Sequence, residues 1–357
     1  MSKLQRVLIM AGGTGGHVFP ALAVAALFQA NQIDVQWLGT EKGLEARLVP
    51  EAGYPLHFIT ITGLRGKTFK EKLSAPWRLL QAIFQAKRMI KKINPDLVIG
   101  MGGFASGPGG IASILLGKKL VIHEQNAKPG LTNKCLAMVA SKVLEAFPQT
   151  FKKRTKTETI GNPLRQEIIL QTPHHKNYTQ PAKLLIFGGS LGAEAINKLL
   201  PGAIAKLPSE LRPEIYHQSG EKNWADTKNA YASAGIVANV VPFIQDMDKA
   251  YAWADMVLCR AGALTVSELC AVGLGGILIP YPYAVDDHQT ANARFMSAEK
   301  AAYLIQQSAL TEEVLVDLLK ELCSSSEKRL AMGQAAYRLR TINAGERFFN
   351  ICKEMCH

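Results

Sequence analysis

The sequence predicts an α/β protein made of two similar domains in tandem, each a parallel sheet with helices packed against it. Three observations carry this. Short apolar runs alternate with helix-spaced stretches along the 357 residues, the pattern of βα units. RVLIMAGGTGGHVFPALAV near the start is echoed by KLLIFGGSLGAEAINKLL at 183–200, and both read strand, glycine turn, helix. The glycine pairs that begin at 12 and 188 are 176 residues apart, about one domain length.

Val7–Met10 is the first predicted strand, and AGGTGGHVFP (Ala11–Pro20) follows it. Glycines let backbone amides approach a phosphate, and a helix beginning there adds a favourable dipole. The helix is predicted over Pro20–Gln29. No lysine of the Walker type is present, which argues against nucleoside-triphosphate hydrolysis. The next strand, Val35–Leu38, runs into Gly39-Thr40 with no acid to hold a ribose, which argues against a nicotinamide oxidoreductase. On the residues alone the turn is either a phosphate cradle or a place where strand and helix pack closely. His17, at the helix start, is a candidate general base near neutral pH, with the dipole favouring its neutral form. The alternative is a helix-start residue that bonds the loop.

Thr62–Lys92 holds nine basic residues and one acid, Glu71, with Leu64, Phe69, Leu73 and Trp77 interleaved. That combination suits a membrane surface, a nucleic acid, or a basic helix packed on the core. The helical part is predicted over Pro76–Ile93. The uncharged window Leu97–Gly117 has the length of a membrane span but contains seven glycines and Pro108. A strand (Leu97–Gly100), a glycine loop and a short helix fit it better. Leu120–His123 is the next strand. The HEQN that begins at His123 offers Glu124 as a second candidate base and Asn126 as a sugar ligand, or is a satisfied turn. The domain boundary falls in the polar stretch Lys152–Pro181, where GNPLR (Gly161–Arg165) is a candidate hinge.

Strands of the second half are predicted at Leu184–Phe187, Glu214–Gln218, Val237–Val241, Met256–Cys259 and Gly276–Pro280. CRAGALTVSEL (Cys259–Leu269) repeats the strand, small-residue turn and helix. Its amides suit a second anionic group, and Glu268 is either an acceptor for a ribose diol or part of a solvated face. Asp286, Asp287, His288 and Gln289 cluster after a strand, but adjacent acids rarely converge on one metal ion. Asp246-Met247-Asp248 matches the DxD signature of metal–diphosphate sites. It opens the predicted helix Met247–Ala254, so Asp246 is expected to cap that helix. The tail after Gly345 has helical apolar spacing.

Composition bounds the function class. The N-terminal apolar run is broken at once by Gly12–Gly16, which argues against a secretory signal. The six cysteines (135, 259, 270, 323, 352, 356) form no CxxC pair, so free thiols in a reducing cytosol are expected. Cys352 and Cys356, beside His357, are expected to be frayed terminal residues and not metal ligands. The net charge of +12 is lopsided: residues 1–162 hold 22 Lys and Arg against 9 Asp and Glu, and residues 163–357 hold 19 against 20. The basic half predicts an anionic partner. It lacks the aromatic platform expected for single-stranded nucleic acid.

GGTGGHVFPA, GMGGFASGP, HEQNAKPGLTNK, GNPLR, GGSLGA, HQSG, FIQDM, RAGALTVSEL and DDHQTANA occur in this order. With them the chain closely resembles the MurG family, the bacterial N-acetylglucosaminyltransferases of glycosyltransferase family 28, over nearly its whole length. The resemblance implies the GT-B architecture, two Rossmann-like domains with parallel sheets facing across a cleft. Residues 1–162 would form the acceptor and membrane-binding domain, with a C-terminal helix about 342–357 packing back on it, and 163–341 the UDP-sugar domain. It implies an inverting hexosyltransferase that moves N-acetylglucosamine from UDP-N-acetylglucosamine to the 4-hydroxyl of the muramoyl unit of lipid I, giving lipid II in peptidoglycan synthesis. No metal or other cofactor is expected. Partners would be the two substrates, anionic lipids and proteins of cell-wall synthesis and division, with no nucleic acid. The place would be peripheral, on the cytoplasmic face of the inner membrane.

Carried over by motif, Arg165 and Ser190 would meet the diphosphate and Ile244 the uracil through its backbone. Ala263, Leu264, Thr265, Val266, Ser267 and Glu268 would surround diphosphate and ribose, with Glu268 on the ribose hydroxyls. Gln289 would meet the sugar, and Thr14, Gly15, Gly16 and Asn126 would line the sugar's side. Two departures are visible. The family's GMGGY is GMGGF here, so Phe104 lacks a hydroxyl, and Gly273-Leu274-Gly275 has glycine where proline is common.

Overall fold

The computed structural model describes residues 4–61, 74–151, 156–170, 180–189 and 192–356. The chain divides into two compact units, Met1–Arg165 with Ile342–His357, and Gln166–Thr341. The division falls three residues beyond the predicted end at 162. The reason is local: Asn162 and Leu164 are buried, and Asn162 Nδ2 donates to Gln125 O at 3.1 Å.

The first unit holds β1 (Arg6–Met10), β2 (Asp34–Gly39), β3 (Leu56–Phe58), β4 (Leu97–Gly100), β5 (Lys119–Glu124), β6 (Lys142–Glu145) and β7 (Thr157–Thr159). They form one parallel sheet in the order β3-β2-β1-β4-β5-β6-β7. Helices cover both faces, so the central strands are apolar throughout. Val7 and Ile9 of β1 join one core with Val24, Phe28 and Trp37, while Leu8 and Met10 join another with Ala86, Ile90 and Leu136. The strand order reverses between β1 and β4, and in such sheets ligands bind beyond the carboxyl ends at that point. GGTGG follows β1 and GMGG follows β4, and Met10 pairs with Gly100, so the two glycine loops start side by side.

Helix Gly15–Ala30 begins five residues before the predicted start at Pro20. The Thr14 carbonyl accepts from His17 N at 3.1 Å and Val18 N at 3.2 Å, so the glycines join the first turn. Helix Ala75–Ile93 ends where Asn94 takes the left-handed conformation (φ 49°) ahead of Pro95. The window 97–117 is β4, a loop and helix Ser106–Leu115. Among the described residues no helix is long and apolar enough to cross a membrane.

Helix Ala344–Met355 packs on the first unit. Phe348, Ile351, Cys352 and Cys356 enter its core, Phe349 meets Phe28 (ring centroids 5.3 Å), and Arg347 pairs with Glu158 at 2.8 Å. Burying each large apolar side chain contributes about 1.5–3 kcal/mol. The expectation of frayed cysteines is therefore corrected: both thiols are buried, and burial raises the pKa of each.

The second unit holds β8 (Lys183–Phe187), β9 (Glu214–Gln218), β10 (Asn239–Val241), β11 (Met256–Cys259), β12 (Gly276–Leu278) and β13 (Ala302–Leu304). They form a parallel sheet in the order β10-β9-β8-β11-β12-β13, the Rossmann order. Its reversal lies between β8 and β11, where Gly188 and Arg260 follow paired strands with Phe187 opposite Cys259. Strand β10 lacks the predicted Val237 and Ala238, and Val237 is almost fully exposed. Helix Met247–Trp253 starts after Asp246 as predicted, but Asp246 makes no capping bond. Its carboxylate binds Lys249 Nζ at 2.7 Å instead.

Candidate active site

In the first unit the site is built from two glycine loops and the end of β5. Gly102 (φ +98°) and Gly103 (φ +87°) let the loop after β4 lie against the loop after β1. A Cβ on Gly103 would stand 2.3 Å from the Gly12 carbonyl oxygen, and one on Gly102 would stand 2.6 Å from His17 Nδ1. GMGG is thus a packing motif that brings the helix start and its histidine under the second loop. Thr14 is the N-cap of helix Gly15–Ala30, Gly15, Gly16 and His17 form its first turn, and no acid lies there to compete with an anion.

A residue the sequence reading missed holds this turn. Glu45, fully buried at the start of helix Glu45–Glu51, accepts from Gly13 N through Oε2 at 2.8 Å. Its Oε1 accepts from Thr40 N at 3.0 Å and Thr40 Oγ1 at 2.7 Å. A dinucleotide fold has its ribose-binding acid at the end of the second strand; here the acid beyond that strand turns inward to backbone amides. The signal in the sequence was a lone acid in the short GLEAR stretch after a glycine-ended strand.

His17 is half-buried, with Nδ1 2.9 Å from Gln125 Oε1. Glu124 is 1% exposed and its carboxylate is engaged by the following loop. Oε1 accepts from Asn126 N at 3.0 Å and Asn126 Nδ2 at 3.2 Å, and Oε2 from Gly130 N at 3.1 Å and Asn133 Nδ2 at 2.9 Å. Asn126 is thereby fixed at the carboxyl end of the sheet. Arg165 closes the first unit with its guanidinium 5.9 Å from the Phe19 ring centre.

His123 is fully buried, and burial lowers its pKa to about 4 although its bond to Gly161 O and the nearby Glu124 oppose this. His217 in the second unit, between Tyr231 OH and Asn197 Oδ1, is lowered to about 3 by burial. Both rings are neutral in the folded chain, while their unfolded counterparts take up a proton below about pH 6.5. Stability from these two groups is therefore complete at neutral pH. It falls as pH drops from about 6.5 toward 4, by about 1.4 kcal/mol per pH unit for each ring. Denaturant titrations at pH 7, 6 and 5 should show this loss, and His123→Asn should reduce its slope; equal stabilities at pH 7 and 5 would contradict it.

In the second unit, Ala263–Glu268 form the first turns of helix Ala263–Val272, entered from extended Gly262 with no acid in the first turn. Ala263 and Val266 face the core, and Leu264, Thr265, Ser267 and Glu268 are half-buried. Tyr251 OH donates to Glu268 Oε2 at 2.9 Å, tying this helix to the one that follows Ile244. Gln289 opens helix His288–Ser297, and its Oε1 accepts from Tyr281 N at 2.9 Å. Arg260, which the sequence reading passed over, donates to Ile279 O and Pro280 O at 3.2 and 3.1 Å and so joins the ends of β11 and β12. Ser190 lies outside the described residues, as do Leu64, Phe69 and Leu73. Among the described residues no group of three or more His, Cys, Asp or Glu is placed to hold a metal ion.

Two Rossmann-type units, each with a helix N-terminus at its topological switch, are the GT-B architecture. The model of the glycosyltransferase family 28 N-terminal domain matches residues 7–145, and that of the C-terminal domain matches 183–348. The chain belongs to glycosyltransferase family 28. It is 51% identical to the UDP-N-acetylglucosamine--N-acetylmuramyl-(pentapeptide) pyrophosphoryl-undecaprenol N-acetylglucosamine transferase of Stutzerimonas stutzeri, over 98% of this chain and 99% of that one. It is 50% identical to the protein of the same name from Pseudomonas syringae pv. tomato, over 98% and 99%. Among solved structures, Acinetobacter baumannii MurG superposes with a TM-score of 0.85 at 40% identity, over 98% of this chain and 99% of that one.

Proposed function

We propose that the chain transfers N-acetylglucosamine from UDP-N-acetylglucosamine to the 4-hydroxyl of the muramoyl unit of lipid I, releasing UDP and forming lipid II. The observation that carries this is the 51% identity, over 98% of the chain, to a transferase named for that reaction. The second unit takes the nucleotide: Ile244 meets the base, the amides at the start of helix Ala263–Val272 face the diphosphate, and Glu268 accepts from the ribose. Ser190 and Arg165 complete the diphosphate contacts, and Gln289 meets the sugar. In the first unit, Thr14, Gly15, Gly16 and Asn126 line the sugar's side.

His17 is the base. The acceptor oxygen attacks the anomeric carbon, its proton passes to the imidazole, and the bond from that carbon to the diphosphate breaks with its electron pair on UDP. The helix-start amides stabilise the departing charge. Four donors on the Glu124 carboxylate support giving it the loop and not the proton. The chain should release UDP from UDP-N-acetylglucosamine only when a lipid I analogue is present. Release with UDP-galactose and diacylglycerol in their place, or no release across detergents and salts, would overturn the assignment.

The acceptor is a lipid, and the reading extends to a peripheral position on the cytoplasmic face of the inner membrane, with contacts to cell-wall and division proteins left to that setting. Helix Ala75–Ile93 supports it: Trp77, Leu80 and Phe84 are 65%, 48% and 63% exposed, and Lys87, Arg88 and Lys91 follow on the same helix. Leu80 and Phe84 extend the stripe that the sequence reading began at Trp77. Trp77→Ser with Phe84→Ser should weaken binding to anionic vesicles and leave turnover of a soluble acceptor intact. Unchanged vesicle binding would remove this helix from the membrane contact.

A further inference from the structure

We propose that Gln125 is a positioning residue that sets the tautomer of His17, keeping Nδ1 protonated and leaving Nε2 as the bare nitrogen that receives the acceptor's proton. This rests on the reading of His17 as the base. Gln125 is 1% exposed and sits between the two residues to which the sequence reading gave roles, Glu124 and Asn126. Its Oε1 faces His17 Nδ1 at 2.9 Å, and its Nε2 faces Met101 O at 2.9 Å and His123 Nδ1 at 3.2 Å.

A side-chain amide has two orientations, and its neighbours select one. The Met101 carbonyl only accepts, so the amide NH2 must face it. The His123 end requires the same. His123 Nε2 lies 2.9 Å from the Gly161 carbonyl, which also only accepts, so Nε2 carries the ring's hydrogen. Burial keeps that ring neutral, so His123 Nδ1 is a lone pair and takes the second amide hydrogen. The amide oxygen is therefore turned toward His17. An oxygen acceptor pairs only with an N–H, so His17 Nδ1 holds the hydrogen and the neutral ring is bare at Nε2.

The geometry leaves little room for escape. The Gln125 backbone is held by Asn162 Nδ2, and the His17 ring lies against Gly102, where even a Cβ would reach 2.6 Å from Nδ1. In free imidazole the two tautomers compete; here two backbone carbonyls, transmitted through one histidine and one amide, decide between them. When Nε2 takes the acceptor's proton, the Nδ1–H bond to Gln125 becomes charge-assisted and strengthens.

The measurement is 15N NMR of histidine-labelled full-length chain at a pH where the rings are neutral, with the His17 signals assigned through His17→Gln. The expected pattern is a protonated Nδ1 and a bare Nε2; the reverse pattern in the unmutated protein overturns the proposal without any variant. Gln125→Met keeps the size and removes the acceptor. It should mix the His17 tautomers and lower kcat roughly 10- to 10³-fold, with the KM for UDP-N-acetylglucosamine unchanged. Gln125→Glu keeps an acceptor for Nδ1–H and should retain the tautomer, but its second oxygen replaces the NH2 that faced Met101 O and His123 Nδ1, so this variant should be less stable. An unmixed tautomer with normal kcat in Gln125→Met would refute the role. Near-normal kcat in His17→Ala would instead remove the base assignment, while the tautomer measurement stands by itself.

Discussion

His17→Ala should lower kcat by roughly 10²–10⁴-fold, the range lost when a positioned general base is removed. The donor's KM should change less than kcat, because the contacts assigned to the base and the ribose, Ile244 and Glu268, are in the other unit. Steady-state kinetics with UDP-N-acetylglucosamine and a lipid I analogue measure both constants. A variant that keeps near-normal kcat would take the proton transfer away from His17. The structure already sets the terms for a successor: Glu124 would have to release part of a shell of four hydrogen bonds before it could accept a proton.

Glu45→Ala destabilises the first unit by about 3 kcal/mol or more, counting roughly 1 kcal/mol for each of three donors left without an acceptor. Those donors are Gly13 N, Thr40 N and Thr40 Oγ1. Activity falls with stability, since Gly13 is in the turn that precedes His17. Glu45→Gln separates the two effects: it nearly preserves volume but turns an NH2 group toward one set of donors. Denaturant unfolding gives the energy, and hydrogen exchange at the Gly13 amide reports the turn itself. Unchanged protection of Gly13 in both variants would show that the carboxylate does not hold the loop.

Period and glycine placement made the central strands legible. β1, β4, β8 and β11 are buried on both faces, so each reads as an unbroken apolar run ending in glycine or a small residue. The strands that escaped are β3, β6, β7 and β13. Each has three or four residues and lies away from the sheet's centre, and β7 reads Thr-Glu-Thr, with little to distinguish it from a loop. The site divides in the same way. Residues in recognisable turns, such as His17 and Ala263–Glu268, could be picked out because the turn chemistry is local. Glu45 and Gln125 act on partners 32 and 108 residues away, and no local pattern marks a side chain whose role is to accept from a distant amide or imidazole. Glu124 shows the converse: a carboxylate at the end of a strand looks available until its four donors are placed around it.

The last helix has a consequence for how the molecule is made. In sequence the second unit is an insertion, since residues 166–341 interrupt a first unit that resumes at Ile342. The ribosome therefore finishes the whole second sheet before it supplies Phe348, Ile351 and Cys352, the side chains that close the first core. Phe348 also lies 5.8 Å from the His123 ring (centroid to centroid), the fixed end of the hydrogen-bonded chain that reaches His17. A nascent chain up to Thr341 thus carries every residue assigned to binding and proton transfer, yet lacks the wedge behind His123. The core behind His123 is thus closed by a helix made some 330 residues after the first glycine loop.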